Sequence, residues 1–153
     1  MFFDTVADLL KHKHGQSTYA LPPTSSAAEA IRLMTRHGIG AVLVTSPDGL
    51  EGIVTDRDVM TRVVEPGRDP ASTRLDEVMT SRPRTVRAGD RAARALDLMT
   101  KDGYRHVPVV DGRAVLGVLS MRDLNAWLMA ELREQADGAL MAVKTMGLAN
   151  RGR

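Results

Sequence analysis

The chain has 153 residues, of which 43% are hydrophobic and 26% charged, and its formal net charge is +2. This composition supports a packed core in one compact domain or two small ones, and it argues against disorder. The sequence contains no cysteine, which excludes disulfides and thiolate metal sites and suits a reducing cytoplasm. It also contains no apolar run of membrane-spanning length, so we expect a cytoplasmic protein.

The first half of the chain predicts six elements in the order helix, strand, helix, strand, strand, helix. Thr5 and Asp8 form a capping-box pattern that opens the first helix. Thr24, Ser25 and Ser26 offer N-caps for the second, amphipathic helix. The predicted helices cover residues 5–10, 27–37 and 56–64, and the predicted strands cover residues 19–21, 41–45 and 50–54.

The second half repeats this order 65 residues later. Residues 27–59 align with residues 92–124 without a gap, and 12 of these 33 pairs are identical. So many identities indicate a tandem duplication. The predicted helices of this half cover residues 75–79, 92–101 and 121–129, and its strands cover residues 85–86, 107–110 and 115–119. We therefore divide the chain into repeats over residues 5–66 and 71–132 and a tail over residues 133–153.

The tail carries an apolar stripe at helical spacing, formed by Leu132, Ala136, Leu140 and Val143. This pattern predicts that the tail is helical. Such a stripe would be exposed on a monomer unless it folded back onto its own core.

Each repeat contains one copy of the same motif: a glycine, two apolar residues, a hydroxyl residue and an aspartate three positions later. The copies are Gly52, Thr55 and Asp58 in the first repeat and Gly117, Ser120 and Asp123 in the second. A Ser/Thr-x-x-Asp pattern is common at helix starts, where it caps the helix. A strand that opens onto a helix N-terminus is also where α/β folds bind anions, and an aspartate there can accept both hydroxyls of a ribose. Capping and binding are compatible, and the pattern leaves both open.

Two such units in tandem resemble a CBS-domain pair, the Bateman module. The likeness covers about residues 5–132, and the stretches that carry it are residues 6–10, 39–44, 78–80 and 105–110. The resemblance implies an α+β fold with two βαββα-type repeats, each with a preceding short helix, related by a pseudo-twofold axis. It also implies two ligand clefts, no enzyme activity, no metal and assembly as a homodimer, which the apolar stripe of the tail also favours.

The ligand implied by the resemblance is AMP, ADP, ATP or S-adenosylmethionine, and the implied role is to signal to an unknown regulated protein. The residues expected at the ribose are Thr55, Asp58, Ser120 and Asp123. Those expected beside the adenine are Ala20, Leu21, Ile39, Thr85, Val86 and Tyr104. The candidates for the phosphates are Arg57, Arg105, His106 and Arg122.

The two repeats differ at one place that bears on the phosphates. Arg105 and His106 align with Gly40 and Ala41, so one repeat supplies two potential phosphate donors and the other supplies none. This difference predicts unequal clefts and makes phosphate binding depend on the second repeat, and the sequence leaves open whether the two residues serve their own cleft or the neighbouring one. A histidine adds charge only below its pKa, so His106 predicts phosphate affinity that rises as pH falls. His106 could equally be a capping or surface residue.

Three functions stay open on the sequence alone. The first is a module that senses an adenosine-type nucleotide, the second is an interaction protein with vestigial nucleotide sites, and the third is a weak nucleic-acid binder. An enzyme is disfavoured, since the sequence has no nucleophile–base pair, no Walker loop and no glycine-rich dinucleotide fingerprint. His12 and His14 lie two apart without a third ligand nearby, which favours a solvated loop over a metal site.

Overall fold

The computed structural model describes residues 5–13 and 18–149, and within them it has two sheets surrounded by helices. The helices are α1 (Val6–His12), α2 (Ala27–His37), α3 (Asp56–Val59), α4 (Leu75–Val78), α5 (Ala92–Asp102) and α6 (Met121–Ala149), with a π-helical turn (Met60–Val64) directly after α3. The strands are β1 (Ala20–Leu21), β2 (Ala41–Ser46), β3 (Gly49–Thr55), β4 (Thr80–Ser81), β5 (Val86–Arg87), β6 (His106–Asp111) and β7 (Ala114–Ser120). The α+β class and the tandem arrangement are confirmed.

The helix ends follow the capping residues that the sequence offers. Thr5 and Asp8 make the reciprocal hydrogen bonds of a capping box at α1, and Ser26 does the same with Glu29 at α2. Gly38 ends α2 in the left-handed conformation, with φ of 61°. Glycine is suited to this position because it has no Cβ to clash in that conformation.

The two sheets have matching topology. In the first, the strand order is β1-β2-β3-β4, and in the second it is β5-β6-β7. In both, the short first strand runs parallel to the next strand, which pairs with an antiparallel hairpin partner. Leu43 and Ile53 of the first hairpin form a buried cluster with Val115 and Val118 of the second. The two repeats therefore pack together through their hairpins, about the pseudo-twofold axis.

Strand β4 is an element that the sequence did not predict. Thr80 and Ser81, which follow α4 in the second repeat, pair with β3 beside Gly52. A Cβ on Gly52 would lie 2.9 Å from the Thr80 carbonyl oxygen, which is closer than real Cβ contacts come. The motif glycine is therefore needed for β4 to pair with β3 at this distance.

The opening helix of each repeat packs against the sheet of the other repeat. The Val6 N–H of α1 donates to the Asp90 carbonyl at 2.8 Å, and Val6 is fully buried in the core of the second sheet. The Leu75 N–H of α4 donates to the Ser25 carbonyl at 2.9 Å, and Leu75 is fully buried in the core of the first sheet. The repeats thus exchange their opening helices. The repeat boundaries at residues 5–66 and 71–132 stay a prediction. Each packed core contains the opening helix of the other repeat, so the cores do not coincide with these boundaries.

Helix α6 covers both the helix predicted over residues 121–129 and the tail that the apolar stripe predicted to be helical. It continues without a break to Ala149, and residues 132–142 of it are exposed. Leu132 and Leu140 of the predicted stripe are 48% and 55% exposed. The side chain of Val143 and residues 150–153 lie outside the described part of the chain.

Candidate ligand-binding clefts

Two clefts open where the repeats meet, and each is built from both repeats. Cleft 1 has a volume of about 320 Å³ and joins the second motif, with Ser120 and Asp123, to Tyr19 and Ile39 of the first repeat. Cleft 2 has a volume of about 180 Å³ and joins the first motif, with Thr55 and Asp58, to Pro83, Arg84 and Tyr104. A ligand in either cleft would therefore contact both repeats at once.

The carboxylate of Asp123 in cleft 1 is fixed by hydrogen bonds. The N–H and the hydroxyl of Ser120 both donate to Asp123 Oδ2 at 2.7 Å, and the Asp123 N–H donates to Ser120 Oγ at 3.2 Å. Lys13, at the end of α1, places its Nζ 3.1 Å from the same oxygen and also donates to the Val118 carbonyl at 2.7 Å. Burial raises the pKa of Asp123, but the hydrogen bonds from Ser120 and the charge of Lys13 outweigh it and hold the pKa below its usual value. The carboxylate is thus ionised and aligned at neutral pH.

The carboxylate of Asp58 in cleft 2 is held in the same way. The N–H and the hydroxyl of Thr55 donate to Asp58 Oδ2 at 2.9 and 2.8 Å, and the Asp58 N–H donates to Thr55 Oγ1 at 3.2 Å. Its cationic neighbour is Arg62, one turn along the helix, with Nη2 3.6 Å from Asp58 Oδ1. Both motifs are therefore helix caps, as the pattern allows, and in each the carboxylate also lines a cleft.

The residues predicted beside the adenine fall into two groups. Ile39 lines cleft 1 and Tyr104 lines cleft 2. The other four, Ala20, Leu21, Thr85 and Val86, do not line either cleft. Val86 is 1% exposed and belongs to the core of the second sheet, because its side chain points inward from β5. The cleft walls are formed by residues that precede the short strands, namely Thr18 and Tyr19 before β1 and Pro83 and Arg84 before β5.

The phosphate candidates lie at three places. Arg57 lines cleft 2 and Arg122 lines cleft 1, whereas Arg105 and His106 line both clefts. Arg105 Nη2 lies 2.8 Å from Asp56 Oδ1, an ion pair between the two repeats. Neither Asp56 nor Lys13 was among the predicted site residues. No local pattern marks either contact, since the partners lie 49 and 110 residues apart.

His106 sits at the centre of the interface between the repeats. Its Nδ1 is buried and has no hydrogen-bond partner among the described residues. Burial lowers the pKa of His106 below its usual value of 6.5, and the neighbouring carboxylate of Asp56 opposes this only in part. At neutral pH the imidazole is therefore uncharged, so the fixed cation at this position is Arg105. The predicted rise in phosphate affinity on acidification moves to lower pH for the same reason.

The described residues show neither a metal-binding cluster nor a membrane-spanning helix. Within residues 5–13 and 18–149, no group of three or more histidine or acidic side chains is placed to hold a metal ion. His14 lies outside the described residues. No helix in the described ranges is both long enough and apolar enough to cross a membrane.

The chain belongs to the CBS domain family, which it matches over residues 6–65 and 75–130. It is 31% identical over 140 residues to the CBS domain-containing protein CBSX3, mitochondrial, of Arabidopsis thaliana, a match that covers 86% of this chain and 68% of that protein. Not all relatives are so close in length, since a match to a second Arabidopsis protein, CBSCBSPB3, covers 23% of that protein.

Solved structures give the same result for the fold. A protein with CBS domains from Burkholderia ambifaria MC40-6 is 37% identical, with a TM-score of 0.77 over 83% of this chain and 95% of that one. The CBS domain protein PAE2072 from Pyrobaculum aerophilum, solved in complex with AMP, is 26% identical, with a TM-score of 0.70 over 78% of this chain and 89% of that one.

Proposed function

We propose that the chain is a regulatory module that binds an adenosine-type nucleotide in its two clefts and passes the change to a partner protein. The observation that carries the proposal is the pair of aligned carboxylates, Asp58 and Asp123, each held at a helix start and each lining a cleft built from both repeats. A carboxylate in this setting can accept two ribose hydroxyls. The similar protein that was solved with AMP supports the choice of ligand.

In this proposal different residues of each cleft bind the ribose, the adenine and the phosphates. The ribose hydroxyls donate to Asp123 in cleft 1 and to Asp58 in cleft 2. The adenine lies against Tyr19 and Ile39 in cleft 1, and against Tyr104 in cleft 2, where apolar surface favours a flat base. Arginine side chains near the centre receive the phosphates. Bound ligand would bridge the repeats, and this is how binding would change their relative position.

A thermal-shift screen tests the proposal. Adenosine, AMP, ADP, ATP and S-adenosylmethionine are compared with guanosine and cytidine nucleotides of equal charge. A true ligand at about 100 times its dissociation constant raises the free energy of unfolding by about 2.7 kcal/mol. The matched control is the double variant Asp58→Ala with Asp123→Ala, which should lose the shift. A shift with short oligonucleotides that fades with salt, and none with nucleotides, would instead favour nucleic-acid binding.

We also propose that the chain is a homodimer, with α6 at the interface. Support comes from Leu132 and Leu140, which are large, apolar and about half exposed on the same helix. Light scattering after size exclusion should give about twice the chain mass of 16.6 kDa. Leu140→Glu should convert the dimer to a monomer, whereas Met60→Glu, which changes a residue 67% exposed on the π-helical turn, should leave it intact. A wild-type monomer at micromolar concentration would refute this assembly.

A further inference from the structure

The two clefts share one central pair of basic residues. Arg105 and His106 line both clefts. The other basic side chains each line one cleft only: Lys13 and Arg122 line cleft 1, and Arg57 and Arg84 line cleft 2. A phosphate in either cleft can therefore reach Arg105, but one guanidinium cannot make its full set of hydrogen bonds to two phosphates at once.

The first repeat offers no second copy of this group. Gly40 and Ala41 occupy the positions equivalent to Arg105 and His106. A Cβ on Gly40 would lie 3.1 Å from Cε1 of His106, so a larger residue there would require the imidazole to shift by a few tenths of an ångström. The backbones of the two repeats still match at this point. The Asp56 N–H donates to the Gly40 carbonyl at 3.0 Å, and the Met121 N–H donates to the Arg105 carbonyl at 2.8 Å. The asymmetry is therefore one of side chains and not of fold.

Asp56 makes the sharing of Arg105 unequal. It pairs with Arg105 at 2.8 Å, and it lines cleft 1 but not cleft 2. If the guanidinium turns towards a phosphate in cleft 2, Asp56 loses its partner and presents an unpaired negative charge to cleft 1. A second phosphate that enters cleft 1 then meets the carboxylate of Asp56 without Arg105 to neutralise it, and of the described residues only Lys13 and Arg122 remain as cations in that cleft.

We propose that the two clefts are negatively coupled for phosphorylated nucleotides, because they compete for the Arg105 guanidinium, and that they bind adenosine independently. This inference rests on the proposed function of the clefts. The inference adds that a nucleotide has a lower affinity for its cleft when the other cleft is already occupied than when the other cleft is empty. The chain would then respond over a wider range of nucleotide concentration than two independent sites.

Titration calorimetry with ADP and with adenosine, at pH 7.5, tests the coupling. The affinity of each isolated cleft is measured in Asp58→Ala, which leaves cleft 1, and in Asp123→Ala, which leaves cleft 2. In the wild type, the second ADP should bind about tenfold more weakly than these isolated affinities predict, which corresponds to the loss of about one charged hydrogen bond. Adenosine should bind the wild type with the two isolated affinities unchanged.

Arg105→Ala is the decisive variant, tested alone and combined with each aspartate variant. Both clefts should bind ADP more weakly, and the coupling should fall to within about twofold of independence. Arg113→Ala is the matched control, since Arg113 is an exposed arginine in the β6–β7 turn. This turn is at one end of the hairpin, and Ser120 is at the other end. Arg113→Ala should leave the coupling unchanged.

The outcomes separate this inference from the proposed function. Coupling that persists or grows in Arg105→Ala would mean simple repulsion between phosphates and would overturn the inference. If the wild type binds only one ADP, Arg105→Ala should bind two. A single ADP bound to that variant would also overturn the inference. Independent binding of ADP to both wild-type clefts defeats this inference alone. If neither adenosine nor ADP binds to the wild type, both the proposed function and this inference fail.

Discussion

Asp123→Ala is expected to weaken adenosine binding in cleft 1 by about 100-fold or more. The carboxylate accepts two ribose hydroxyls in the proposed complex, and a hydrogen bond to a charged group contributes about 1.5–3 kcal/mol. Asp58→Ala should do the same in cleft 2 only. Calorimetry should therefore find two adenosine sites in the wild type and one in each variant, with the remaining site unchanged.

The same variants also test whether the aspartates act only as helix caps. Each carboxylate accepts hydrogen bonds from the residue that starts its helix, so its removal should lower the free energy of unfolding by about 1 kcal/mol. A lower melting temperature with full affinity at both sites would mean that Asp58 and Asp123 are caps and nothing more. The matched comparison is Asp8→Ala at α1, which removes a similar capping box and should leave the affinity unchanged.

Leu75→Ala is expected to lower the free energy of unfolding by about 2–5 kcal/mol, the usual range for a buried leucine. Leu75 is fully buried and packs with Met34, Val42 and Val54 in the core of the first sheet. Urea denaturation gives the free energy, and an unchanged dependence on urea would show that only stability has altered. Leu116→Ala, which changes a leucine 43% exposed on β7, should lower it far less. An equal and small effect of both would mean that α4 does not complete the first core.

All the elements except β4, and both motifs, could be predicted because their signals are local. Capping residues such as Ser26 mark helix starts, and the 65-residue repeat lets each half confirm the other. Periodicity cannot show that the turn after α3 widens to a π-helix, since the apolar pattern is nearly the same. It also cannot show where α6 ends, because the tail has no counterpart in the repeat.

The residues that line the clefts were harder to predict from the sequence. The family resemblance implied that Ile39 and Tyr104 lie beside the adenine, and both line a cleft. It implied the same for Val86, whose side chain points into the core, because the ends of β5 could not be fixed to the residue from the sequence. The ion pairs of Lys13 with Asp123 and of Arg105 with Asp56 depend on how two sheets pack. No spacing along the chain encodes such contacts, so they require the structure.

Because the repeats exchange their opening helices, α1 cannot be buried until the second repeat has been synthesised. Helix α1 is synthesised before the second repeat, yet its partner Asp90 lies some eighty residues further along the chain. At roughly 5–20 residues per second, the last strand of the sheet that buries Val6, β7, is made on the order of 6–23 s after α1. Until then its apolar face is a ready target for chaperones or for a neighbouring nascent chain. Lys13 follows α1 directly, so its contact with Asp123 is among the last to form.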